Sequence, residues 1–68
     1  MSEKMDVRTA IRIAQIDVIT RERVAEEIED DETAGRAERK AAKELRENAA
    51  AQRVLIRIAQ ACLTAGEE

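Results

Sequence analysis

The sequence contains no proline, no histidine and no aromatic residue of any kind, and only two glycines and one cysteine in 68 residues. Each absence excludes something. Without aromatics there is no platform on which unpaired bases could stack and no Trp or Phe to anchor the chain in a membrane surface. Without histidine and with a lone thiol, the common zinc ligand sets cannot be assembled and no internal disulfide can form. Gly35 and Gly66 stand alone, so no phosphate-cradling glycine loop can be built. No apolar run approaches the roughly 20 residues needed to cross a bilayer. Nothing after Met1 pairs a basic start with a continuous apolar stretch, as a signal peptide would. Together with the single thiol, these features lead to the expectation of a cytosolic protein without metal or cofactor.

What remains is rich in Ala, Glu, Arg and Ile, residues that tolerate helix well, so the expected class is all-α in one domain spanning residues 1–68. A chain this short lies below the roughly 70–80 residues at which one core alone gives comfortable stability. With disulfide and metal staples excluded, self-association is the remaining route. The net charge is −3, but residues 1–34 carry five basic and ten acidic side chains, and residues 36–65 carry seven basic and three acidic. Two helices of opposite sign lying side by side would satisfy that asymmetry internally.

The pattern predicts helix 1 from about Glu3 to Glu29, a turn at about 30–35, and helix 2 from about Glu32 or Arg36 to Ala65, giving an antiparallel two-helix hairpin. Two turn chemistries compete. In the favoured one Asp31 caps the start of helix 2 and Glu32 sits in its first turn, against the positive end of the helix dipole. In the other, helix 1 runs on and Gly35 supplies a left-handed residue after it. Gly66 is expected to end helix 2, with Glu67 and Glu68 as a frayed tail.

At 100° per residue, helix 1 carries the heptad seam Val7, Ile11, Ala14, Val18, Arg21, Ala25, Ile28. A second apolar row, Ala10, Ile13, Ile16, Thr20, Val24, runs beside it. Helix 2 has the expected seam Ala41, Leu45, Asn48, Gln52, Leu55, Ala59, Cys62, flanked by Ala51, Val54, Ile56, Ile58, Ala61 and Leu63. The apolar arcs are too wide for one neighbouring helix to cover. Large apolar residues gather at the open end of the hairpin, while helix 2 near the turn offers mostly alanine, which permits close approach but buries little area. Residues 8–20 and 53–65 share Arg, Ile, Arg, Ile, Ala and Gln at matching positions, so the hairpin has a pseudo-symmetric reading.

Four polar residues fall in the apolar arcs. Asp17 and Arg21 are one turn apart and can pair; the bland reading, a part-buried ion pair that sets register, outweighs an acid or base role because no second carboxylate faces Asp17. Asn48 and Gln52 occupy consecutive seam positions, where buried amides need partners and would give specificity to association; the alternative is that this half is solvated because the bundle thins near the turn. Cys62 reads as a small apolar side chain with nothing nearby to activate it. Arg39, Lys43, Arg46, Arg53 and Arg57 form a basic row on helix 2, which reads as a solvated face or as pairing with the acidic side of helix 1 in a neighbour, with nucleic acid as the competing partner. The chain resembles the plasmid-copy-number Rop family of RNA-binding hairpin dimers in size and helix count, with no matching motif.

Near-uniform helix formers, one compact turn and polar residues at heptad positions make the chain similar to computationally designed helical-hairpin oligomers. Met5, Thr9, Cys62 and the uneven alanine content depart from that style. The resemblance implies that assembly is itself the function. The expectation is therefore a non-enzymatic self-assembly module in which Val7, Ile11, Ile13, Ala14, Ile16, Val18, Val24, Ile28, Leu45, Val54, Leu55, Ile58, Ala59 and Cys62 form core and interface. A homodimeric four-helix bundle is the leading form and a trimer or tetramer the alternative. The competing expectation is a small adaptor or nucleic-acid-binding regulator that uses the basic row.

Overall fold

The structure, a computed structural model, describes residues 6–66. Two helices, α1 (Val7–Asp30) and α2 (Arg36–Gly66), lie against each other as a hairpin. The expected start near Glu3 and the tail at Glu67 and Glu68 lie outside the described residues.

The turn uses neither expected chemistry. Asp31 closes α1: its backbone is extended and its N–H donates to the Ile28 carbonyl at 3.2 Å. Its side chain accepts from the Thr33 N–H at 2.9 Å and the Thr33 hydroxyl at 2.6 Å, a local loop that competes with helix and so stops it. Gly35, which has no left-handed backbone, then opens α2. Its carbonyl accepts the Arg39 N–H at 3.0 Å, while Glu38 reaches back to the Gly35 N–H at 3.4 Å, half of a capping box. The cluster Asp30, Asp31, Glu32 argued for an Asp31 cap from dipole considerations alone; the Asx loop to Thr33 outweighs them.

Among the described residues, Val18 is the one large side chain that is fully buried between the helices, at 2% exposure. Ile11 and Ala25 lie one heptad either side of it on α1, and Ala42 and Ala49 face them from α2. The α1 seam therefore runs where the periodicity places it, with Ala14, Arg21 and Ile28 half-buried and Val7 exposed near the open end.

On α2 the seam is rotated by one residue from the expected one. Ala42, Leu45, Ala49, Gln52, Ile56, Ala59 and Leu63 are buried or half-buried, whereas Ala41, Asn48, Leu55 and Cys62 are exposed. Alanine at 42 and 49 lets the backbones come close enough to enclose Val18, and that contact, rather than the larger Leu55, sets the rotation of the helix. The molecule measures 51 × 29 × 13 Å, barely more than one helix thick, so residues on its two broad faces cannot be interior.

Candidate interaction face

The hairpin's two broad faces differ in chemistry. Measured at 100° per residue from Val18 and Ala49, one face takes Glu22, Glu29 and Gln15 from α1 and Arg46, Arg53, Arg57 and Gln60 from α2. Two bidentate ion pairs tie the helices together here. Arg46 donates to both Glu29 carboxylate oxygens at 2.6 Å, and Arg53 to both of those of Glu22 at 3.1 and 2.5 Å. Each member lies seven residues from its counterpart, so the ladder repeats every two turns. The hydrogen bonds from these arginines hold the Glu22 and Glu29 carboxyls below their ordinary range and raise both guanidinium groups further. Two members of the basic row are thus occupied within the chain, Arg39 turns back to the Ala34 carbonyl at 3.3 Å, and Lys43 and Arg57 stand exposed. The asymmetry of charge along the sequence is met in part by these two interhelical pairs.

The other face is apolar. Val7, Ala10, Ala14, Leu55 and Ala59 line a shallow groove between the helices, with Ile11 and Ile56 at its floor. Beyond its edges α1 presents Ile13 and Val24 and α2 presents Cys62, all exposed; Ile16, Val54 and Ile58 are exposed on the outer flanks, and Ile19 lies on the charged side with Gln15, Arg53 and Gln60. Leu55, expected in the seam, is 64% exposed and stands on this face. The matched windows 8–20 and 53–65 meet at the open end, and matched residues take matched places: Ile11 with Ile56 and Ala14 with Ala59 on the groove, Gln15 with Gln60 on the charged side.

A polar cluster interrupts the apolar face at mid-length. The Arg21 Nε donates to the Asp17 carboxylate at 2.7 Å, and both side chains are about two-fifths exposed or less. That bond, with a lesser one from the Gln52 side chain, lowers the Asp17 pKa below its ordinary value. Gln52 pays for this arrangement with its carbonyl: Oε1 is buried and has no donor. Asn48, expected to be buried beside it, is exposed one turn away. The cluster holds one carboxylate, Asp17, paired with Arg21.

Among the described residues no group of side chains is placed to hold a metal ion, and no helix is long and apolar enough to cross a membrane. No protein-family model matches the chain, and comparisons with characterised proteins and with solved structures likewise find no match.

Proposed function

We propose that the chain is a structural self-assembly module whose apolar face pairs with further copies to complete a helical bundle, in the manner of the designed hairpin oligomers it resembles. One observation carries this reading: the side chains large enough to drive folding are mostly outside the contact between the two helices. Val18 and three alanines fill that contact together with Ile11, while Val7, Ile13, Ile16, Ile19, Val24, Val54, Leu55 and Ile58 are each at least 40% exposed. The exposed area agrees. The chain presents 5742 Å² to solvent, against about 4,300 Å² expected of a folded monomer of its 7.6 kDa mass. The excess, about 1,400 Å², surpasses the roughly 800 Å² that each partner gives to a standard interface.

The pairing of Arg46 and Arg53 with Glu29 and Glu22 weighs against the basic row as a nucleic-acid face, because phosphate would have to displace two bidentate carboxylate contacts. Absolute mass by light scattering behind size exclusion, over a hundredfold concentration range with far-ultraviolet circular dichroism, tests the proposal. The expected result is a fixed multiple of the chain mass with high helicity. A helical monomer across the range would overturn it. Leu55→Asp or Ile58→Asp is expected to reduce the oligomer to monomer and to lower helicity with it.

A further inference from the structure

We propose that the charged face carries a site for a single phosphate group, formed by Arg12, Gln15, Arg57 and Gln60 near the open end of the hairpin. The site does not depend on self-assembly, because the charged face is open in a monomer and in an assembly made through the apolar face alike.

The ladder of ion pairs shows where the site lies. Glu29 meets Arg46 and Glu22 meets Arg53. One further step of seven residues along each helix brings Gln15 opposite Gln60, so the next rung consists of two neutral amides. Arg12 and Arg57 each lie three residues before their glutamine. Because the helices run antiparallel, the two arginines flank the rung from opposite ends, each about 4.5 Å from it along the axis. That offset is shorter than an arginine side chain, so both guanidinium groups reach an anion seated over the amides.

These cations have no anion in the described chain. Neither Arg12 nor Arg57 makes an ion pair with a described residue. No carboxylate lines either of the two hollows that share Gln15 and Gln60. Within residues 7–21 and 48–66 the one carboxylate is Asp17, which pairs with Arg21 on the other face.

The internal repeat marks the same residues. Arg8, Ile11, Arg12 and Gln15 line one hollow with Gln60, and their counterparts Arg53, Ile56, Arg57 and Gln60 line the other with Gln15. Packing of helix on helix accounts for the repeated isoleucine, which is buried at Ile11 and half-buried at Ile56. It gives no reason to repeat Arg12 and Gln15 as Arg57 and Gln60, all four of which are exposed. An anion held between the helices does, since it meets the same donors from each side.

The donor set selects the ligand. Two permanent positive charges and two side-chain amides, with no carboxylate among them, suit a dianion with several oxygens, and a phosphate group is one near neutral pH. A single carboxylate leaves one arginine unmatched. Nucleic acid presents a run of phosphates, and the neighbouring Arg53 is already held by Glu22.

Nuclear magnetic resonance of the nitrogen-15-labelled full chain, at about pH 8 where the phosphate group is mostly dianionic, tests the site. Inorganic phosphate, O-phosphoserine and acetate are titrated in turn at constant ionic strength. Phosphate should move the side-chain amide signals of Gln15 and Gln60 together along one saturating curve and leave that of Gln52 in place. Arg12→Gln and Arg57→Gln should each weaken binding about tenfold or more, as loss of a charge-assisted contact does. Lys43→Gln removes the same charge from an exposed position away from the rung and should leave the affinity unchanged. All three residues are exposed, so helicity by circular dichroism should be the same in every variant. Equal affinity for phosphate and phosphoserine supports a site for the free ion, and tighter phosphoserine binding supports one for a phosphorylated partner. Stationary Gln15 and Gln60 signals with both, equal weakening by Lys43→Gln, or acetate binding as tightly as phosphate overturns the proposal.

Discussion

The side chains that hold the helices together act through short contacts with opposite sensitivities. Asp17, Glu22, Glu29 and Asp31 all titrate below their ordinary values, because Arg21, Arg53, Arg46 and Thr33 respectively donate to the ionised form. Each therefore binds its proton more weakly folded than unfolded. The stability they contribute is complete above the ordinary carboxylate range and is lost as the pH falls through the lowered folded values. Thermal melts at constant ionic strength should show a midpoint that is level above about pH 5 and falls as the solution is made more acid. In Asp17→Asn that decline should be shallower. The exposed Glu22–Arg53 and Glu29–Arg46 pairs should in addition be salt-sensitive. Glu22→Gln with Glu29→Gln should lower the midpoint slightly at low salt, the difference vanishing near molar salt, with the oligomer mass unchanged because both pairs lie on the charged face.

Each helix has a different reason for ending where it does and for facing as it does. The two turn signals read from sequence were both real in kind, an Asp that caps and a Gly that breaks, but their roles are exchanged. Asp31 stops α1 through Thr33, and Gly35 starts α2 with Glu38 behind it. Because Gly35 has no left-handed backbone and a Cβ there would meet nothing nearer than the Glu38 carboxylate at 4.0 Å, its hydrogen side chain is not required. Gly35→Ser, which adds a capping hydroxyl, should raise stability by a few tenths of a kcal/mol in denaturant titration. A larger loss would mean the start of α2 lies elsewhere. The small residues on α2 are required in a way Gly35 is not. Ala49→Leu, at a fully buried position opposite α1, should cost about 1–3 kcal/mol by overpacking. The same change at Ala41, which is exposed outside the contact between the helices, should leave the helix-to-helix seam within one hairpin untouched.

As a whole the molecule is a slab with one charged and one apolar face. The charged face is partly satisfied within one chain, where Arg46 and Arg53 meet Glu29 and Glu22. On the apolar face Leu55 is 64% exposed, and the chain as a whole presents more area to water than a folded monomer of this mass shows. That imbalance is a property of the assembled hairpin and belongs to neither helix alone. The self-assembly proposal predicts that helicity and mass fall together on introducing an acid at Leu55, since the hairpin has little else to fold around.

The all-helical class, two helices with one break near residues 30–35, and the complete α1 seam from Ile11 to Ile28 follow from sequence, because α1 places Val18, Ala25 and Ile11 at unbroken heptad spacing beside a clearly polar flank. The Asp17–Arg21 pair follows too, from one-turn spacing and opposite charge. The rotation of α2 does not. Its apolar arc is broad enough that rows through Leu55 or through Ile56 satisfy the periodicity equally, and choosing the larger residues selects the wrong one. A signal was present in the chain: Glu22 and Glu29 are spaced as Arg53 and Arg46 are, and an antiparallel pairing of those four turns Ala42 and Ala49 inward. Only the packing of α2 on α1 decides between the rows, because close approach through alanine and two bidentate ion pairs are properties of the helix pair. That decision leaves Leu55 on the open face and turns Asn48 to solvent, with Gln52 held at the seam beside Asp17.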